Sequence, residues 1–364
     1  MEYNHLEELG FAEDRQTICS SYGLLTSGDP MRRMCDRFIR DGGRIYDVLT
    51  AYDGIMRYEL SRDDKLSENT VKTLAPLLKA SGVSDRSLYD QFRKDMCLTP
   101  GSDVIHYISG LMTTHILTEA YEHHAIALCE SLNILPEMIE SSEILFDDLE
   151  MDKREANRFR GFANDLSALN VPKITSSDDG TPYIDGRNSV ILETAERLIS
   201  DIYDTEFMYL LKDMRSLGGN EKTFSLIDIR RRTQVDLDCT AYIGNSSSDY
   251  PVMDMVRDEE GLALSFNGDA YAVRGSNVAV MSQDSIVPAA IVSEFYRGGM
   301  DGVYSLIDSW DRKKLQRYDP ADRHLFDTLL RRFPSKLPSV IAVDDDNIDD
   351  VIKQSETFRR KQRF

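Results

Sequence analysis

Short apolar runs alternate along the chain with longer stretches whose hydrophobic residues recur every three or four positions. The first run, around Ile18 and Cys19, predicts a strand at 16–20, and Ser27-Gly28-Asp29-Pro30 after it has turn chemistry. Met34, Phe38, Ile45, Val48, Leu49, Tyr52 and Ile55 follow at helical spacing with a break at Gly42-Gly43, which predicts two amphipathic helices. Helical patterns continue over 68–80 and 84–96, and Thr99-Pro100-Gly101-Ser102 stands where it would cap a helix at 103–112. The segment 115–118 reads as strand, followed by a helix over 121–132. Residues 136–220 are charged and helical in character, with long pieces at 152–169 and 190–213 and a polar turn at 176–180. A helix carrying Phe224, Leu226 and Ile227 leads through Arg230-Arg231-Arg232, read as a solvated helix end, to a strand at 241–244. Further strands are predicted at 261–266, before an Asn267-Gly268 turn, and at 277–281. Helices over 286–296, 303–310 and 324–332 follow, and 340–343 is a last short apolar run.

Strands alternating with helices predict an α/β fold, a parallel sheet covered by helices on both faces. A length of 364 residues fits about two domains or one large domain with an insertion. With 41% hydrophobic and 29% charged residues the chain is ordinary globular protein, and a net charge of −20 would repel a phosphate backbone, which argues against nucleic acid as a partner. The five cysteines are scattered without a C-x-x-C pair, so neither a disulfide framework nor a zinc site is signalled. Residues 1–14 are acidic and lack an apolar core, and no long uncharged run occurs, so neither a signal peptide nor a membrane span is expected and the expected compartment is cytoplasmic.

In open α/β sheets ligands bind beyond the carboxyl ends of the strands. Four places qualify: Ser20-Ser21-Tyr22-Gly23, Thr118-Glu119, Lys222 after Gly218-Gly219-Asn220-Glu221, and Gly244-Asn245-Ser246-Ser247-Ser248-Asp249. Their order and spacing resemble the haloacid dehalogenase-like (HAD) superfamily of phosphatases. There the first strand ends in an aspartate nucleophile, an acidic proton donor stands two residues on, a Ser or Thr follows the second strand, a Lys stands near a later helix, and a G-D-x-x-x-D loop holds magnesium. More particularly, the stretches 37–46, 74–83, 218–222 and 261–271 resemble an archaeal branch, the subunit R-like proteins of energy-converting hydrogenase A, and similarity extends to Leu337-Pro338 and 355–363. This resemblance implies a methanogen context, a hydrogenase-associated protein partner and a phosphate or phosphoester ligand. It also implies a Rossmann-like HAD core from 1–30, 99–135 and 215–300, a helical cap at 31–98, a second helical insertion at 136–214 and a C-terminal helical extension at 301–364.

Carried over residue by residue, the nucleophile position is Ser20 and the acid position Tyr22, so both carboxylates are missing. In the metal loop Asn245 replaces the first acid while Asp249 remains; Thr118, Lys222 and Ser246 are the expected phosphate-binding residues. Mg²⁺ is usually held by one or two carboxylates with phosphate and water, so two neutral replacements imply weak magnesium binding or none. The expectation is a phosphatase-like protein that has lost its chemistry and serves as a binding or accessory component. The alternative is an active phosphoester hydrolase with a displaced nucleophile, and a structural subunit without a ligand is a third class. Blander readings attach to the remaining reactive residues. Cys19 reads as a small buried apolar residue, His123-His124 point apart on a helix and converge poorly on one metal, and Asp344-Asp345-Asp346 reads as an acidic helix start.

Overall fold

The computed structural model describes residues 15–60, 70–176 and 182–362. Outside them lie the acidic amino terminus, the start of the 68–80 helical pattern, most of the polar turn at 176–180, and Arg363. The strands are β1 (Gln16–Ser20), β2 (Thr113–Tyr121), β3 (Ile139–Ser142), β4 (Thr175–Ser176), β5 (Pro182–Tyr183), β6 (Thr240–Gly244), β7 (Leu262–Phe266), β8 (Val278–Met281) and β9 (Ser339–Ala342). Seven form one sheet in the order β3-β2-β1-β6-β7-β8-β9, while β4 and β5 pair separately. The sheet is parallel except for β9, which runs antiparallel to β8 at the edge. The expected α/β fold with a parallel sheet is thus the observed one.

β1, β6, β7 and β8 are buried at every position, because helices cover both faces and leave no solvated side. The period of two sorts their side chains. Ile18, Leu117, Tyr242 and Ala263 join Leu226 and Ile229 of helix Gly219–Thr233 and Val252 and Met253 of helix Tyr250–Asp258. Cys19, Ile116, Ile243 and Leu264 face the other way, against Ile105 and Ile108 of helix Val104–Leu111, Leu128 of helix Glu122–Leu132, and Ile291 and Phe295 of helix Ile286–Asp308. That last helix is one element where the pattern suggests two, kinked at Gly298-Gly299, with Gly299 at φ 58°.

β3, β4 and β5 lie within the stretch 136–214 read as helical, and β9 forms at the short apolar run near 340–343, inside the stretch 301–364 expected as a helical extension. β3 carries Glu140 and Ser141, so its apolar signal is weak. Asp344, Asp345 and Asp346 are exposed and precede helix Ile348–Gln362, as an acidic helix start would.

A helical layer sits above the carboxyl edge of the sheet. Helices Pro30–Phe38, Gly42–Gly54, Thr70–Ala80 and Asp85–Lys94 come from one stretch of chain, and Lys153–Ala168, Gly186–Tyr203 and Glu206–Leu210 from another. They share a single hydrophobic cluster, in which Leu49, Leu74 and Phe92 pack with Phe159, Leu192, Ile202 and Phe207. Asp29 starts the first of them: its carboxylate accepts hydrogen bonds from the N–H groups of Met31 and Arg32, and Pro30 occupies the first turn, where its missing donor costs nothing. The chain crosses between the layers in paired segments, Ser27 N–H donating to Cys97 O at 2.9 Å and Glu143 N–H to Arg215 O at 2.9 Å. Among the described residues no helix is long and apolar enough to cross a membrane.

Candidate functional site

The register of the sheet brings the sequence-predicted positions together. Ser20 ends β1 opposite Leu117, one residue before Thr118, and Cys19 pairs with Ile243 beside Gly244. The pairing of β2 with β3 shifts between Leu117 and Tyr121, and this irregularity carries Thr118 and Glu119. After Ser20 the backbone turns sharply through Gly23 at φ 90°, and a Cβ there would lie 2.5 Å from Asn245 Nδ2, so only glycine lets the loop after β1 lie on the loop after β6.

Helix Gly219–Thr233 places Lys222 in its first turn, where the side chain is 1% exposed. Its ammonium donates to Asp249 Oδ1 at 2.7 Å, Ser248 Oγ at 2.9 Å and Glu119 Oε1 at 3.2 Å, which uses all three donors. Asp249, 0% exposed, also accepts from Tyr242 OH at 2.8 Å on Oδ1, and on Oδ2 from Asn245 N–H at 2.9 Å, Ser246 N–H at 3.1 Å and Ser246 Oγ at 3.2 Å. Burial alone would raise the Asp249 carboxyl, but the Lys222 charge and these hydrogen bonds outweigh it and hold it below the usual carboxylate range. The same pairing raises Lys222 against its own burial. Two of the expected residues, Lys222 and Asp249, are therefore partners of each other, with Glu119 and Ser248 as satellites; Ser248 also hydrogen-bonds Glu119.

Above them opens a cleft of about 930 Å³ between the sheet edge and the helical layer. Ser20, Tyr22, Thr118 and Ser246 all line it, whereas Lys222, Asn245 and Asp249 lie behind the wall. Much of the lining is hydroxyl, from Ser20 and Ser21 through Thr118 to Ser246, Ser247 and Ser248. Among the described residues four carboxylates also face the cleft, and each has partners. Asp29 caps its helix and accepts from Tyr46 OH at 2.6 Å, and Asp47 is paired with Arg32 at 2.7 Å. Asp269 accepts from Ser247 N–H at 3.0 Å and Ala272 N–H at 2.9 Å, and Glu119 is held by Lys222 and Ser248. Burial raises the carboxyls of Asp29 and Asp269, with Tyr46 opposing it at the first and Arg359 at the second. Burial also pushes the Tyr22 phenol up to about 12, so it stays protonated at neutral pH.

The reactive residues set aside on sequence grounds have ordinary surroundings. Burial, with the Asp249 charge second, pushes the Cys19 thiol up to about 12. His123 pairs with Asp85 at 2.8 Å, and His124, fully buried against Phe92, is pushed down to about 3 by burial and stays neutral. Arg230 is exposed and pairs with Asp236 at 2.6 Å.

No family model matches the chain, and no curated protein matches it. Among solved structures, gene product AF1437 from Archaeoglobus fulgidus superposes with a TM-score of 0.72 at 15% identity, covering 96% of each chain. The two share a fold along nearly their whole length. A phosphoserine phosphatase carrying a phospho-aspartyl intermediate analogue matches with a TM-score of 0.44 at 9% identity, covering 75% of this chain and 95% of that one. An apo phosphoserine phosphatase matches at 0.39 and 10%, covering 75% and 96%.

The donors at the motif positions do not suit magnesium. The loop expected from sequence to hold a metal supplies one orphaned oxygen among the described residues, Asn245 Oδ1, which is buried and neutral. Asp249 is committed to Lys222 and the loop backbone, and among the described residues no cluster of three or more His, Cys, Asp or Glu side chains could hold a metal ion. Octahedral Mg²⁺ normally keeps at least one carboxylate ligand.

Arg33, Arg359, Asp29 and Asp269 are cleft residues that sequence reasoning did not select. Asp29 before Pro30 and Asp269 after Asn267-Gly268 carry local cap signals. Arg359 carries none, because it arrives from helix Ile348–Gln362, more than a hundred residues beyond the loop it touches.

Proposed function

We propose that this chain is a HAD phosphatase-like protein that binds a phosphate or phosphoester in the cleft without transferring the phosphoryl group. The observation that carries the reading is the state of the carboxylates. Ser20 stands at the nucleophile position, and Asp29, Asp47, Glu119 and Asp269 around it are held by helix caps or ion pairs. Phosphoryl transfer to a side chain needs an activated nucleophile, and a serine needs an adjacent base for that. Cys19 beside it is buried and protonated, and Tyr22 replaces the proton donor with a group that holds its proton. The hydroxyl-lined wall suits the oxygens of a phosphoester. The resemblance to hydrogenase-associated proteins adds a protein partner to this reading, with the cleft as sensor or adaptor.

The test is a phosphomonoesterase assay with excess Mg²⁺ on the native chain, on Ser20→Ala, and on the triple variant Ser20→Asp, Tyr22→Asp, Asn245→Asp. The native chain is expected to match Ser20→Ala at background, and the triple variant to gain Mg²⁺-dependent turnover. Turnover by the native chain that Ser20→Ala abolishes would refute the reading in favour of an active hydrolase.

A further inference from the structure

Arg359 reaches the carboxyl edge of the sheet from the last helix. Its Nη1 donates to Asn245 O at 3.1 Å and Asn267 O at 2.5 Å, the carbonyls of the first residues after β6 and β7. The helix is pinned there by Ser355, whose buried hydroxyl donates to Gly268 O at 2.6 Å. Among the described residues Arg359 has no carboxylate within ion-pair distance, and its Nε and Nη2 have no protein partner, although it lines the cleft. Arg33 faces the cleft from the helical layer in the same condition. Its guanidinium is held by the carbonyls of Ser27 at 2.6 Å, Gly28 at 3.0 Å and Asp95 at 3.3 Å, with no carboxylate partner among the described residues. Backbone carbonyls orient both groups without neutralising them.

The wall of the same cleft contains the hydroxyl of Ser21, 1% exposed and, among the described residues, without a hydrogen-bond partner. Asn245, whose carbonyl accepts from Arg359, carries a second orphaned atom, its Oδ1. A guanidinium presents a planar fork that fits phosphate oxygens two at a time, which a magnesium ion does not require and a lysine cannot match. Resting on the reading of the cleft as a phosphate-binding site, we infer that Arg359, assisted by Arg33, takes the place of a divalent cation, so that a phosphate monoester is bound through guanidinium groups without metal. The roughly 930 Å³ of the cleft exceeds a phosphate and leaves room for the organic part of such an ester. Both guanidiniums also lower the Tyr22 phenol against its burial, which places their fields at one spot.

The test is calorimetric titration of the full chain with inorganic phosphate, in EDTA and again in excess MgCl₂, for the native protein, Arg359→Gln, Arg359→Lys and Ser355→Ala. Phosphate is expected to bind in EDTA with an affinity that magnesium does not change. Arg359→Gln should weaken it tenfold or more, while Arg359→Lys and Ser355→Ala, which loosens the helix without removing the charge, should each fall between that variant and native. Binding only in magnesium, undiminished binding by Arg359→Gln, or an equal loss in Ser355→Ala would each overturn the inference while leaving a phosphate-binding cleft in place. Absence of phosphate binding by the native chain in both buffers would overturn that reading as well.

Discussion

Replacing Lys222 with methionine isolates what the buried ion pair contributes. Methionine fills much of the same volume, so the change chiefly removes a charge and three donors from a site where Lys222 is 1% and Asp249 0% exposed. Truncating one partner of a buried pair costs about 3–5 kcal/mol, because the remaining charge is left in a medium that solvates it poorly. Asp249 keeps the Tyr242 hydroxyl and the loop donors, so the lower half of that range is expected, about 3 kcal/mol. A pH signature accompanies the loss. In the native protein the carboxyl of Asp249 is depressed, so its stabilising effect is present above the unfolded value of 3.8 and disappears only as the pH falls through the lower folded value. Without Lys222, burial dominates and the shift reverses, so the variant should lose further stability as the pH rises from about 4 toward 7. Adding Asp249→Asn to Lys222→Met should recover part of the loss and flatten that dependence. Urea unfolding followed by circular dichroism at several pH values measures both effects. A loss below about 1 kcal/mol with no change in pH slope would show that Lys222 is no structural partner of Asp249, and would return it to the role of a free phosphate anchor.

Asp53 offers a second titration. Burial raises it to about 7 despite its hydrogen bonds from the backbone and hydroxyl of Thr70. A raised acid costs nothing below its unfolded value of 3.8 and its full penalty above about 7, which at 1.36 kcal/mol per unit is on the order of 4 kcal/mol. Asp53→Asn should match native stability near pH 4 and exceed it by up to that amount near pH 8; parallel pH profiles in urea unfolding would contradict this. Gly23→Ala should destabilise by about 1–3 kcal/mol, since alanine at φ 90° is strained and its Cβ would lie 2.5 Å from Asn245 Nδ2. An unchanged urea midpoint would show that the two loops part at little cost.

The strands that build the site are legible in sequence because β1, β6, β7 and β8 are buried on both faces and so become short apolar runs ended by polar turns. β3 escapes this reading: as an edge strand it carries Glu140, paired with Arg215 and Arg232, and it looks like charged helix. The motif positions Ser20, Thr118, Lys222 and Asn245 converge as their spacing implies, but spacing says nothing of whether Lys222 points at a ligand or at Asp249. That depends on contacts across the fold. Arg359 is illegible for the same reason, since helix periodicity does not report which distant carbonyls a side chain will meet.

The common core of the two helical stretches has a mechanical corollary. Leu49 and Phe92 on one side and Phe159 and Ile202 on the other form a single packed mass, so neither stretch can swing out without exposing the interior of its neighbour. The segments that tether this mass are bonded as twin straps, Ser27 to Cys97 and Glu143 to Arg215. Neither stretch is then a free-standing unit, and deleting one of them is expected to unfold the other along with it.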